Sequence, residues 1–241
     1  MNVRSKSILE AAVKQYIREG KPVSSKELAK DFDFGVKGAT VRNELNRLTK
    51  DGFLAQLHTS GGRVPTDKGY QFFVAQTLSD VADTRRVMNE HYGALAGDLK
   101  HGKLKDFVEA MSDETKLLGV GKKEKERTVY KSGLNELVDH LDMESKQEFQ
   151  EIVQDFEMLD KRMGALRERV SGKALPAPQV FIGKQSPITH SESLSVILDS
   201  YDVDGEKVLI ALIGPKRMDY SKNVKLLKLF HHYFKDYERR E

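Results

Sequence analysis

The stretches Ala-Thr-Val-Arg-Asn-Glu-Leu at residues 39–45 and His-Thr-Ser-Gly-Gly-Arg-Val-Pro-Thr-Asp-Lys-Gly-Tyr at residues 58–70 decide the predicted fold of the N-terminal third. The first stretch lies in a short amphipathic helix. The second predicts a tight hairpin tip, in which Gly61 and Gly62 supply positive φ and a single arginine, Arg63, follows the turn. Together they predict a polar helix beside a small basic hairpin.

The predicted helix begins at about Lys37 and ends at Gly52, and its two faces differ in chemistry. Its apolar face, which we expect to pack on the preceding helices, consists of Val41, Leu45 and Leu48. The opposite face displays Ala39, Arg42, Asn43, Asn46, Arg47 and Lys50. Arginine pairs bidentately with guanine and asparagine with adenine in the major groove of DNA. The alternative is an ordinary solvated face.

The segments on either side complete the pattern of this module. An apolar stripe at helical spacing predicts a first helix, which ends at Gly20 and Pro22; its residues are Ile8, Leu9, Ala12, Val13, Tyr16 and Ile17. Ser24 and Glu27 form a capping-box pattern for a second helix. After the hairpin, Thr66 is the expected cap of a further helix that buries Tyr70, Phe72, Phe73 and Val74. This order of elements predicts a winged helix-turn-helix, and DNA binding is the first hypothesis.

The candidate DNA-contacting residues come from the polar helix and from the hairpin. The helix contributes Lys37, Ala39, Thr40, Arg42, Asn43, Asn46, Arg47 and Lys50, and the hairpin contributes His58, Thr59, Ser60 and Arg63. Arg63 is placed to reach a phosphate or a minor groove, or else it is a solvated loop arginine. Residues 1–75 hold 13 Lys and Arg against 8 Asp and Glu, an excess of five, whereas the remaining residues hold 27 against 29. The positive excess therefore lies in this module, where it favours phosphate binding.

Composition argues against several other classes of protein. The 241 residues include no cysteine, so disulfides and thiolate metal sites are excluded. His140, His231 and His232 have no cysteine or carboxylate partners at ligand spacing, and no nucleophile–base motif is present, so we expect no metal, no cofactor and no enzymatic activity. No apolar run approaches the roughly 18 to 20 residues that span a bilayer, and the N-terminus lacks a signal-peptide pattern. The expected location is the cytoplasm.

The C-terminal half predicts a mixture of helices and strands. A long amphipathic helix is expected over residues 144–170, and its apolar stripe is either intramolecular core or a dimer seam. Strands are predicted at residues 180–182, 193–198 and 207–213, with a hairpin turn at Asp204 and Gly205, and a closing helix at 220–237. The Lys/Glu-rich run at 119–127 is typical of a solvated loop.

The quoted N-terminal stretches resemble the bacterial heat-inducible transcription repressor family HrcA. A second resemblance lies downstream, where residues 213–220 read Ile-Gly-Pro-Lys-Arg-Met-Asp-Tyr, and a third at residues 130–137 around Ser-Gly-Leu-Asn. Residues 111–118 resemble the family's linker. Family members are usually longer, so the resemblance implies a shortened member that lacks much of the central inserted region.

The resemblance implies a fold class, a partner set and a function. The expected fold is α+β: a winged helix-turn-helix at residues 1–78, a linker helix and loop at 79–128, and a GAF-like regulatory and dimerisation domain at 129–241. The implied function is repression of heat-shock chaperone operons at an inverted-repeat operator in double-stranded DNA, relieved on heating. A homodimer and a GroE-type chaperonin that modulates the repressor are the implied partners.

Two other functions remain compatible with the residues. One is a winged-helix regulator of other genes that is controlled by a small ligand in the C-terminal domain. The other is a winged helix that mediates protein or RNA contacts, for which binding would be insensitive to DNA sequence.

Overall fold

The computed structural model describes residues 1–57, 61–79, 90–141, 145–169 and 175–238. It is an α+β structure that divides into two compact units. One unit takes in residues 1–80, and the other is built mostly from residues 81–216 and 220–241. In the part of the chain that is described, no helix is long and apolar enough to cross a bilayer.

The N-terminal unit begins with three helices whose ends follow the predicted signals. The helices are α1 (Val3–Glu19), α2 (Ser25–Asp31) and α3 (Gly38–Lys50). Gly20 adopts a left-handed conformation (φ 66°) that ends α1. The Ser24 and Glu27 side chains form the predicted capping box at the start of α2. Each of these predictions is confirmed, because the signals are local and act within one helical turn.

A hairpin and a fourth helix complete this unit. Strands β1 (Leu54–Gln56) and β2 (Arg63–Pro65) pair antiparallel, and α4 (Asp67–Ser79) follows, with the predicted Thr66 side chain accepting from the Gly69 amide at 3.2 Å. The predicted positive φ at Gly62 is wrong. Its backbone lies so close to the chain before α2 that a Cβ would be 2.5 Å from the carbonyl oxygen of Pro22. Gly62 is therefore required for close approach.

The C-terminal unit is built on a five-stranded antiparallel sheet. Its strands are β3 (Leu118–Lys123), β4 (Val129–Ser132), β5 (Gln179–Ile182), β6 (Leu194–Val203) and β7 (Glu206–Pro215), in the order β4-β3-β7-β6-β5. The predicted turn between β6 and β7 is confirmed, with Asp204 at φ 52° and Gly205 at φ 73°. This arrangement is consistent with a GAF-like domain.

Helices cover both faces of the sheet. They are α5 (Glu90–Lys100), α6 (Leu104–Thr115), α7 (Leu134–Asp139), α8 (Lys146–Arg169) and α9 (Tyr220–Glu238). One core joins α7 and α8 to alternate residues of β3, β6 and β7, and α8 contributes Ile152, Leu159, Met163 and Leu166 to it. These four residues are therefore intramolecular core, whereas Phe149 and Val153 of the same predicted stripe are 45% and 40% exposed. Alternate residues of β6 contact α9 on the other face, as in the stacking of Tyr201 on Phe234.

The prediction of a solvated loop over residues 119–127 is wrong for its first half. Residues 118–123 form β3, which pairs with both β4 and β7 and so lies inside the sheet. Gly121 faces α6, and a Cβ there would lie 2.4 Å from Cγ2 of Val108. Lys122 is buried, with its Nζ donating to the carbonyl of Lys123 at 3.1 Å. The sequence did not indicate this strand, because glycines and lysines are not typical of a buried strand and the burial of Gly119, Gly121 and Lys122 depends on close tertiary contacts.

Candidate nucleic-acid interface

The polar face of α3 is exposed, as its sequence predicts. Ala39, Asn43, Asn46 and Lys50 fall on one line along the helix and are all exposed. On the opposite side, the apolar residues Val41, Leu45 and Leu48 are each 0% exposed. Packing of that apolar side within the N-terminal unit therefore leaves the row of polar side chains facing outward. We call these four residues the α3 stripe.

Arg63 of the hairpin lies beside the α3 stripe. Its Nε donates to Oγ1 of Thr49 at 3.2 Å, and its Nη2 donates to Oδ1 of Asn46. Partial burial lowers the pKa of the Arg63 guanidinium, and the nearby charge of Arg42 lowers it further. Among the residues that the structure describes, no carboxylate forms an ion pair with Arg42, Lys50 or Arg63. These cations are therefore uncompensated, which suits a surface that meets phosphates.

The other edge of α3 is held to α1 by a polar network. Arg47 pairs with Glu44, with Nη2 2.7 Å from Oε2, and also donates to Oγ of Ser5. Ser5 is fully buried, and its Oγ lies 2.8 Å from Oε2 of Glu44. Arg47 is therefore engaged within the protein, although its side chain is 44% exposed.

The first turn of α3 brings two more predicted residues to the same surface. Lys37 is the N-cap, is exposed and makes no side-chain cap, while its carbonyl accepts from the amide of Thr40 at 2.9 Å. A helix N-terminus favours anions, because its amides and its dipole point outward. The remaining predicted residues, His58, Thr59 and Ser60, lie outside the described residues.

Sequence reasoning did not identify the internal partners of this surface. The spacing of Glu44 and Arg47 is a readable signal for an ion pair on one helix. The contacts of Ser5 with α3 and of Arg63 with Asn46 join residues 39 to 42 and 17 positions apart. No local pattern indicates such pairs.

The C-terminal unit contains a polar cleft of about 250 Å³. It is lined by Glu151, Gln154, Asp155, Arg162, Lys184, His190 and Ser191. The buried Asp155 accepts hydrogen bonds from the amides of His190 and Ser191, each at 2.8 Å, and pairs with Arg162 at 2.5 Å. Its carboxylate is thus occupied in holding the loop before β6. The predicted alternative of a small-ligand regulator has this cleft as a candidate site.

The chain is similar to proteins of the HrcA family. The family model described as HrcA protein C terminal domain matches residues 42–224. A heat-inducible transcription repressor HrcA of Bifidobacterium longum is 52% identical over 67 residues, which cover 28% of this chain and 18% of that protein. The HrcA of Gloeobacter violaceus is 39% identical over 118 residues, which cover 49% of this chain and 31% of that protein. The matches thus span less than a third of these relatives.

A solved structure has the same fold over nearly the whole chain. The crystal structure of a hypothetical protein at 2.2 Å resolution covers 98% of this chain and 98% of its own, with 16% sequence identity and a TM-score of 0.73. At this identity the comparison concerns the fold alone.

Proposed function

This chain belongs to the HrcA family, and from that premise we propose that it is a transcription repressor that binds double-stranded DNA through α3. The observation that carries the proposal is the α3 stripe, flanked by Arg42 and Arg63, cations that have no carboxylate partner among the described residues. Asn43 and Asn46 offer amides for adenine, and Arg42 offers a fork for guanine.

The proposed organisation has three parts. Residues 1–78 form a winged helix-turn-helix, in which α3 is the recognition helix and the β1–β2 hairpin is the wing. Residues 79–128 connect it to a regulatory and dimerising GAF-like domain at 129–241. Dimerisation matches an inverted-repeat operator, because each protomer then reads one half-site.

The proposed regulation follows that of a heat-shock repressor. The operator lies upstream of chaperone genes, heating relieves repression, and a GroE-type chaperonin returns the repressor to its folded state. A marginally stable protein suits this role, since one or two kcal/mol changes the folded fraction several-fold. The protein acts in the cytoplasm and needs no cofactor.

The test is a mobility shift of the purified chain on an inverted repeat from a chaperone operon, against a scrambled duplex of equal length. At about 150 mM salt, specific binding should exceed non-specific binding by a factor of about 10³ or more. Arg42→Ala and Asn43→Ala should each reduce that ratio. Lys14→Ala, which removes an exposed charge from α1, is the matched control and should leave the ratio unchanged.

Two results would count against the proposal. Equal binding of the parent to both duplexes, followed by failure to enrich any sequence from random DNA, would remove sequence-specific repression. If both α3 variants bind the operator with the affinity of the parent, α3 is not the element that binds DNA.

A further inference from the structure

Asn46 occupies the middle of the α3 stripe, and its amide is already bonded to the hairpin. Oδ1 of Asn46 accepts a hydrogen bond from Nη2 of Arg63. An amide oxygen has two lone pairs and an amide nitrogen has two donor hydrogens. The contact with Arg63 uses one lone pair. The second lone pair of Oδ1 and both N–H groups of Asn46 can still form hydrogen bonds. A bidentate pair with adenine requires one acceptor and one donor of this kind.

Arg63 is itself held at both ends. Its backbone N–H donates to the carbonyl of Val23 at 2.9 Å, and its carbonyl accepts from the Val23 amide at 2.8 Å. Its Nε donates to Oγ1 of Thr49, which in turn donates to the carbonyl of Leu45 within α3 at 2.9 Å. The Arg63 side chain therefore connects β2, where its backbone is held, to α3, where its guanidinium is hydrogen-bonded.

The contact with Arg63 reduces the rotamer freedom that the Asn46 side chain loses when it binds a base. A side chain that must be ordered on binding loses rotamer freedom, and that loss counts against affinity. The rigid fork of Arg63 holds the Asn46 amide in one orientation before any DNA arrives. Lysine at position 63 would keep the charge but would lack the fork that reaches Asn46 and Thr49 at once.

We propose that Arg63 is a positioning residue, which presets the Asn46 amide for recognition of one adenine and makes the hairpin part of the base-reading surface. This role rests on the proposed function and goes beyond it, because Arg63 then acts through Asn46 and not as a phosphate or minor-groove contact. Arg42, which is exposed and close to Arg63, can then contact a guanine or the phosphate backbone of the DNA.

The experiment begins with duplexes selected from a randomised pool by the parent protein. Single base-pair replacements in the selected duplex give a discrimination map, and Asn46→Ala identifies the base pair that Asn46 reads. Arg63→Lys should lose discrimination at that same base pair by roughly 5- to 100-fold. The double variant should lose no more than Asn46→Ala alone, because Arg63 acts through Asn46. The salt dependence of Arg63→Lys should match that of the parent, since the charge is kept.

A second variant and a control make the result specific. Thr49→Val removes the other anchor of the guanidinium with little change of shape, and should weaken discrimination at the same base pair. Arg4→Lys, the same substitution at an exposed position of α1, should leave the map unchanged. Thermal unfolding of each variant checks that it is folded. A general loss of fold would lower binding to every duplex equally, whereas the proposal expects a loss of discrimination at a single base pair of the map.

Several outcomes would overturn the inference. Parental discrimination in Arg63→Lys, with a uniform loss of affinity in Arg63→Ala, would make Arg63 a phosphate contact. Losses that add in the double variant, or that fall at a different base pair, would make Arg63 an independent reader. A parent that selects no sequence would overturn the proposed function first and this inference with it, and the selection step alone shows which has failed.

Discussion

Nδ1 of His231 lies 3.0 Å from Oδ1 of Asp199, where α9 packs against β6 inside the C-terminal unit. Asp199 is fully buried and His231 is 7% exposed. Burial raises the pKa of Asp199 to about 6, although the hydrogen bond and charge of His231 and the amide of Ser200 act in the opposite direction. The unit therefore contains a buried pair of titratable side chains at the contact between α9 and β6.

The Asp199 carboxyl should make stability depend on pH. Its pKa in the folded protein lies above the ordinary value of 3.8, so the folded state holds this proton more tightly than the unfolded state. Its contribution to the free energy of unfolding is therefore greatest below about pH 4 and declines as the pH rises to about 6. The decline should total about 3 kcal/mol.

Urea unfolding of the parent and of Asp199→Asn from pH 4 to pH 7.5 measures this decline. The asparagine does not titrate, so the free energy of unfolding of the parent relative to the variant should fall over that range. Asp113→Asn, at an exposed site on α6, controls for the loss of a carboxyl group. A difference between parent and Asp199→Asn that stays constant with pH would contradict the assignment.

The hydroxyl of Tyr201 should contribute little to stability. The ring stacks on Phe234 at 5.1 Å and meets the edge of Phe107 at 6.5 Å, but the buried hydroxyl has no hydrogen-bond partner among the described residues. Burying an unpaired hydroxyl is unfavourable. Tyr201→Phe should therefore leave the free energy of unfolding unchanged or raise it by up to about 1 kcal/mol.

Denaturant midpoints of Tyr201→Phe and Tyr201→Leu separate the hydroxyl from the ring. The leucine variant loses the ring contacts and should be clearly less stable than the parent. Destabilisation by Tyr201→Phe beyond about 1 kcal/mol would mean that the hydroxyl has a partner.

Gly121 should not tolerate a methyl group. A Cβ there would lie 2.4 Å from Cγ2 of Val108 and 3.0 Å from Cδ1 of Leu104, both on α6. Gly121→Ala should lower the free energy of unfolding by about 1–3 kcal/mol, because α6 must move away from β3. Adding Val108→Ala should make the double variant more stable than the sum of the single effects predicts.

A glycine elsewhere supplies the opposite expectation. Gly97 lies within α5, and apart from the neighbouring backbone of α5 itself no atom of the described residues is within 4 Å of the position of its Cβ. Gly97→Ala should therefore raise the free energy of unfolding by about 0.5–1 kcal/mol through helix propensity. Equal effects of the two Gly→Ala substitutions in thermal unfolding would refute the proposed crowding at β3.

Glu44 should restrain Arg47. Glu44→Gln removes the ion pair, so the free energy of unfolding should fall by up to about 1 kcal/mol, the small value reflecting the partial exposure of Arg47. The released guanidinium would then reach phosphates, and affinity for non-specific duplex DNA should increase. The slope of log affinity against log salt should steepen by up to about 0.9, the value for one added phosphate contact.

Glu10→Gln on α1 makes the same change of charge at a carboxylate that forms no ion pair with Arg47 among the described residues, and is the matched control. If salt titrations give both variants the same slope, Arg47 either stays bonded to Ser5 of α1 or makes no phosphate contact.

Much of the N-terminal unit was predictable because its signals are local. The capping box at Ser24, the stop at Gly20 and the apolar face of α3 each act within a few residues. The β6–β7 turn at Asp204 and Gly205 was predictable for the same reason. β3 was not, because whether Gly121 marks a flexible loop or a crowded strand depends on a helix that packs against it.

The sequence by itself determined helices α1 to α4, the hairpin of β6 and β7 and the polar composition of the α3 face, since periodicity, capping and turn signals depend on neighbouring residues. Only the tertiary structure decided which partners the charged side chains on and beside that face have. It engages Arg47 with Glu44 and Ser5 and places Arg63 on Asn46. These pairings join residues distant in the chain, and only chain packing brings their polar atoms within hydrogen-bonding distance.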